Sequence, residues 1–340
     1  MPLIYGHPAL ILPKVCEVSA FFRNFVLPSK YPAPHTGQYE AIIPQYMRQT
    51  FDNCMKRMLT ATLLLLHTIA AATAQEWRLV WSDEFDTDGQ PDPSTWNYEE
   101  GFVRNHEAQW YQADNARQQD GLLVIEARRE DRPNPTYRPD SRHWSGQRDS
   151  IHYTSACLTT RNKRHFCYGR LEVSARIPTA GGAWPAIWTL GTDMEWPSCG
   201  EIDQMEFYRI DGTPHILANV AWGNDRRYDA VWNSKRIPFT HFTDRDPMWA
   251  QRFHTWRMDW DEQAIRLFLD DELLNEVLLS TTQNGSIGQH TNPFRRPQYI
   301  LLNLALGGDN GGPIDESALP MRYEIDYVRI YERNTNGISK

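Results

Sequence analysis

Cysteine is scarce in this sequence, with five among 340 residues. None stands with His at a spacing that would close a tetrahedral zinc site, so zinc chemistry is not supported. Basic residues are also in deficit, 35 Lys and Arg against 43 Asp and Glu, and from residue 75 onward the balance is 29 to 40. A surface of that sign argues against nucleic acid as a partner. Long amphipathic helices are nearly absent, and no fixed-period repeat or Ser/Gly linker divides the chain. No tryptophan occurs before residue 75, although the chain holds 13.

One apolar run, Leu59 to Ala71, follows Lys56-Arg57 and leads into the small residues Ala72-Thr73-Ala74. It is short, and Thr and His67 interrupt it, so it suits a secretory signal peptide over 55–74 better than a membrane span. Residues 1–54 carry no stable period and read as a start-site artefact or disordered extension, with translation beginning at Met55 or Met58. The mature protein is then 75–340, a single domain, secreted or periplasmic and monomeric, with no stable membrane insertion. A genuine extension would instead make 55–74 a signal anchor.

Short strand-like runs fill that domain: Trp77–Trp81, Leu122–Ala127, Gly169–Ile177, His254–Trp260, Ala264–Leu269, Tyr299–Leu304 and Tyr323–Tyr331. Several alternate in polarity, as a sheet with one packed face requires. The expected fold is all-β, a sandwich with long loops at 131–150 and 281–296 on the surface or at the edges of a cleft. Cys157 and Cys167 flank the polar Arg161–Arg164. A hairpin centred near Asn162 would oppose them closely enough to bridge; two small apolar residues on paired strands are the alternative.

Glu201-Ile202-Asp203-Gln204-Met205-Glu206 puts three carboxylates into six residues of an otherwise apolar segment. Like charges this close push pKa values apart, so that one carboxyl keeps a proton while its neighbour stays ionised. In a regular strand Glu201 and Asp203 share a face and Glu206 points away. A bulge near Gln204-Met205 would bring all three to one face. Trp184, Trp188, Trp196, Phe207, Tyr208 and Trp222 crowd the same region. Flat side chains suit the C–H faces of sugar rings, so a glycoside hydrolase uses all of these features. An acidic strand with one face in solvent is the plainer alternative.

Gly200–Phe207 resembles the catalytic signature of glycoside hydrolase family 16, in the bulged form of its laminarinase-like branch. The similarity runs from about Trp77 to Tyr331. It includes Trp81-Ser82-Asp83-Glu84-Phe85, Trp96-Asn97-Tyr98, Asn105–Tyr111, Tyr153–Ala156, Tyr168-Gly169-Arg170, Gly182–Trp188, Leu304–Gly308 and Asp326–Arg329. The resemblance sharpens the fold to a concanavalin-like jelly roll with a concave substrate cleft. It implies Glu201 as nucleophile, Asp203 as assisting carboxylate and Glu206 as general acid/base in a retaining mechanism. It further implies Asn105, Glu107 and Gln109 on the glycone side, and Trp184, Trp188 and Trp222 as sugar-contacting residues. It also implies a structural calcium, away from the cleft, held by Glu84, the carbonyl of Gly121 and Asp326. No cofactor is implied for catalysis.

The implied substrate is a β-1,3-glucan such as laminarin, or a mixed β-1,3/1,4-glucan, and neutral polysaccharide agrees with the charge balance. Two departures from the laminarinase pattern bear on it. Val220 stands where a His is usual two residues before Trp222, and Cys157 stands where Arg is common. A galactan such as agar or porphyran is the alternative within the fold, with Arg226-Arg227 and Lys235-Arg236 available to sulfate. A catalytically silent glucan-binding sandwich is the alternative outside enzymology, and a pure binder has no need of all three carboxylates.

Overall fold

The computed structural model describes residues 77–334. The expected signal segment and residues 1–54 lie outside them. In chain order the strands are β1 (Trp77–Asp83), β2 (Asn97–Tyr98), β3 (Gln109–Tyr111), β4 (Ala116–Gln119), β5 (Leu122–Pro133) and β6 (Ser150–Ser155). Then come β7 (Cys157–Thr159), β8 (Gly169–Arg176), β9 (Ala183–Gly191), β10 (Glu201–Ile210), β11 (Thr213–Gly223) and β12 (Ala230–Pro238). The last are β13 (His254–Trp260), β14 (Ala264–Leu269), β15 (Glu272–Leu278), β16 (Gln298–Leu306) and β17 (Met321–Arg333). Each run expected to be a strand is one, with ends moved by a few residues.

Two sheets face each other. One runs β15-β14-β13-β8-β17-β5-β6-β3, with β1 on β17 and β4 on β5; the other is seven-stranded, β12-β11-β10-β9-β16-β7-β2. Alternation decides what lies between them. Ile202, Met205 and Phe207 of β10, Ile187 of β9 and Ile300, Leu302 and Leu304 of β16 point inward. They meet Leu171 and Val173 of β8, Trp256, Met258 and Trp260 of β13, and Ile325 and Val328 of β17 in one buried core. Each such side chain contributes about 1.5–3 kcal/mol on burial. This is the β-sandwich, and the outer face of the seven-stranded sheet is left to carry the cleft.

The hairpin expected between Cys157 and Cys167 does not form. Cys157 is paired with Asn303, Thr159 with Leu301, and Phe166 with Gln298. The chain therefore continues along β16 instead of folding back on itself. Five residues of strand separate Asn303 from Gln298, about 17 Å, so the two cysteines sit far apart, and Cys157, Cys167 and Cys199 are free thiols.

Of the two expected long loops, 131–150 is partly strand and carries the helical turn Trp144–Gln147. Its Arg148 holds the carbonyls of His106 (2.7 Å) and Glu107 and lies over the rings of Phe102 and Trp144. It thereby fixes the 103–108 loop at the cleft.

Candidate active site

β10 is bulged where expected. Its register shifts between Asp203 and Glu206 against β11, and between Asp203 and Met205 against β9. The bulge turns Glu206 to the face of Glu201 and Asp203, and all three line a cleft of about 650 Å³. Gly200 starts the strand at φ +80°, a conformation L side chains rarely adopt. A Cβ there would also lie 2.8 Å from Pro293. Just before β9, Gly182 has φ +82°, and a Cβ would come within 2.6 Å of the Ile314 Cα. The backbone therefore passes close to Ile314 at this point, which only glycine permits.

The three carboxyls differ in their partners. Trp196 donates its indole N–H to Glu201 Oε2 at 2.6 Å. Burial raises the Glu201 pKa, opposed by Asp203, by Trp196 and by the positive charge of Arg104. Asp203 is more strongly affected. Burial, with the charges of Glu201 and Glu206 added, pushes its carboxyl well above the usual range, and its Oδ2 has no hydrogen-bond partner. It is the group of the three that most favours a proton. Glu206 accepts from Trp184 Nε1 and Asn219 Nδ2, both at 2.9 Å. Burial still dominates there and lifts it to about 7. Glu206 is thus a carboxyl that is protonated at mildly acidic pH, as the acid of a double displacement must be, and it stands beside Glu201, whose upward shift is opposed by Asp203, Trp196 and Arg104.

The cleft walls hold most of the other expected residues. Asn105, Glu107, Trp184 and Trp188 line it. Glu107 accepts from Gln109 Nε2 (2.7 Å) and Asn105 Nδ2 (3.3 Å), and burial raises its pKa against the pull of Arg104. Gln109 itself is buried and is not part of the wall. It spans Glu107 and the backbone N–H of Leu306 (2.7 Å), holding Glu107 from behind. Trp188 donates to Asn303 Oδ1 at 2.7 Å, and Asn303 Nδ2 in turn donates to Tyr111 at 3.0 Å.

Trp222 is a correction. β11 keeps an unbroken register with β12, so Asn219 and Ala221 face the cleft while Val220 and Trp222 face the sandwich core. Val220 therefore does not stand where a cleft histidine would reach a sugar, and Asn219, on the cleft face, holds Glu206. Arg104, Asn219, Trp232 and Ser234 line the cleft without having been assigned to it from sequence, as do Trp196, grouped only with the aromatic cluster, and Arg236, offered only to a sulfated galactan. Arg104 is paired with Glu99 and lies 5.0 Å over the Trp188 ring; burial is the largest single influence and lowers its pKa, but the charges of Glu99, Cys157, Tyr111 and Glu107 together raise it.

The residues implied for calcium are spread over β1's end, the β4–β5 turn and β17. Both carboxylate oxygens of Glu84 accept from Arg329, at 2.9 and 2.7 Å, which holds the Glu84 pKa down. The guanidinium competes for the Glu84 oxygens, and Asp326 and main-chain oxygens are the other hard donors the set offers a calcium ion.

The family model of glycosyl hydrolases family 16 matches residues 103–329. The chain belongs to that family. It is 35% identical to a beta-glucanase of Rhodothermus marinus, over 82% of this chain and 96% of the relative. Among solved structures, the catalytic domain of an endo-1,3-beta-glucanase (laminarinase) from Thermotoga petrophila superposes with a TM-score of 0.63 at 31% identity, covering 77% of this chain and all of that one. Another was reported with the endo-acting O-glycanases that prominent members of the human gut microbiota express to initiate mucin breakdown. It gives 0.67 at 34% identity, covering 77% and 92%. Family membership makes the protein a glycosidase with the jelly-roll sandwich of its relatives. No helix among the described residues is long and apolar enough to cross a membrane.

Proposed function

We propose that this chain is an exported retaining endo-β-glucanase cutting β-1,3- or mixed β-1,3/1,4-glucan. The observation that carries the mechanism is the bulge that brings Glu201, Asp203 and Glu206 to one face of the cleft, with a pKa of about 7 on Glu206. The Glu201 carboxylate attacks the anomeric carbon while Glu206 gives its proton to the departing glycosidic oxygen. A glycosyl ester on Glu201 results. Glu206, now ionised, takes a proton from water as that water attacks the same carbon and releases Glu201. Asp203 carries a proton beside Glu201, which lets two buried carboxyls share the site without two charges.

The glucan preference rests on the likeness to the beta-glucanase and the laminarinase, on an open cleft walled by Trp184, Trp188 and Trp232, and on the acidic balance of the domain. Export rests on the 55–74 segment. A structural calcium at Asp326 and the Gly121 carbonyl belongs to the same reading; added calcium should raise Tm in the wild type and not in D326N.

The 75–340 protein, with E201A as control, is incubated with laminarin, barley mixed-linkage glucan, agarose and porphyran, and the products are resolved by size. Short glucan oligomers from the wild type alone support the proposal. Products from a galactan alone would keep the mechanism and replace the substrate. Equal release of reducing ends by both proteins would remove Glu201 from the chemistry, and binding without cleavage would favour the silent binder.

A further inference from the structure

A second hollow of about 300 Å³ lies at the far edge of the same sheet, lined by Asn97, Tyr98, Glu99, Thr159, Arg161, Asn162 and Tyr299. Strand register places it on the cleft side. Residues directly opposed on neighbouring strands share a face, and one unbroken row runs Trp232, Ala221, Glu201, Leu190, Tyr299 across β12, β11, β10, β9 and β16. The next row ends Asp203, Trp188, Leu301, Thr159, Asn97, on β10, β9, β16, β7 and β2. Leu190 lines the cleft and its partner Tyr299 lines the hollow, so the two meet across a single pair of residues.

Strands lie about 4.8 Å apart, which puts Tyr299 roughly 10 Å and Thr159 roughly 14 Å across the sheet from Glu201. That reach corresponds to a few sugar units of a chain already seated at the nucleophile. The lining is also of the right kind. Arg161 lies 5.8 Å over the Tyr299 ring and forms no ion pair among the described residues, which leaves its donors to a ligand. The Asn97 side chain donates to the Arg161 carbonyl at 2.8 Å and fixes the loop that carries it. Arg161 and Asn162 are exposed.

We propose that this hollow is a remote subsite for the substrate polysaccharide. Neutral glucosyl units several residues from the scissile bond rest against Tyr299 and hydrogen-bond to Arg161, Asn162 and Asn97; Tyr98, on the opposite parity, packs on the sandwich core. Glu99, paired with Arg104 over Trp188, forms the low partition between cleft and hollow. The inference deepens the β-glucanase reading and rests on it for the identity of the sugar.

The test is a binding series with laminarin oligosaccharides of increasing length, measured by calorimetry on E201Q and on E201Q carrying R161A and N162A. Both added changes are on the exposed loop and leave the catalytic residues untouched. The subsite predicts that affinity for long oligomers exceeds that for short ones by about tenfold, one charge-assisted contact's worth, and that the loop variant loses this gain while binding short oligomers equally well. Affinity that levels off once the cleft is filled, alike in both proteins, would overturn it. If wild-type activity proves confined to galactans, the β-glucan reading fails separately. The same series in galactan oligomers then decides the hollow by the same two outcomes.

Discussion

Trp196 donates its indole N–H to Oε2 of Glu201 at 2.6 Å, so an aromatic residue from the turn before β10 holds the nucleophile. A donor to the ionised form stabilises it. In W196F the Glu201 pKa should rise and the acidic limb of the pH–rate profile should move to higher pH. Turnover near neutrality should fall about tenfold to a hundredfold, the range for a hydrogen bond to a charged group. An unchanged acidic limb would mean that Trp196 only packs there.

Glu206 must enter the reaction protonated, and its pKa is about 7. Activity should therefore decline as pH rises past about 7, with the apparent value belonging to the carboxyl set as a whole. Asn219 and Trp184 both donate to this carboxyl and favour its charged form. Removing one donor in N219A should move the alkaline limb upward. A downward shift would contradict the geometry.

The same burial makes stability depend on pH. An unfolded Glu ionises near 4.5, whereas folded Glu206 holds its proton to about 7. Between these values the native state binds more protons than the unfolded one, so stability present below pH 4.5 is lost as pH rises through 7. The loss is on the order of 3 kcal/mol. E206Q removes it. Its Tm should exceed that of the wild type by more at pH 8 than at pH 4.5, and an equal gain at both pH values would contradict the linkage.

Trp222 belongs to the core and not to the cleft. W222F should lower stability by on the order of 1–3 kcal/mol in chemical denaturation while leaving KM on laminarin within about twofold. W188F should do the reverse and raise KM, because Trp188 lines the cleft. A raised KM in W222F would return Trp222 to the substrate.

These residues also mark what a reader of the sequence could and could not see. The bulge in β10 was legible because three carboxylates at that spacing share a face only if the strand gains a residue. The inward face of Trp222 was legible in principle, since it follows from parity once Asn219 is placed toward the cleft; the family resemblance had put it with the sugar-contacting residues. The Trp196 contact depends on how a turn returns onto β10, and no local pattern encodes that. The cysteine hairpin failed for a related reason. A polar segment between two strands looks like a turn, but here the chain runs on along β16.

The central claim, double displacement at Glu201 on a β-glucan, is tested most directly by proton NMR of the first reducing ends released from laminarin. Retention through a glycosyl ester predicts that the β-anomer appears first and the α-anomer only later, by mutarotation. The α-anomer appearing first would mean direct attack by water, with Glu201 no longer a nucleophile.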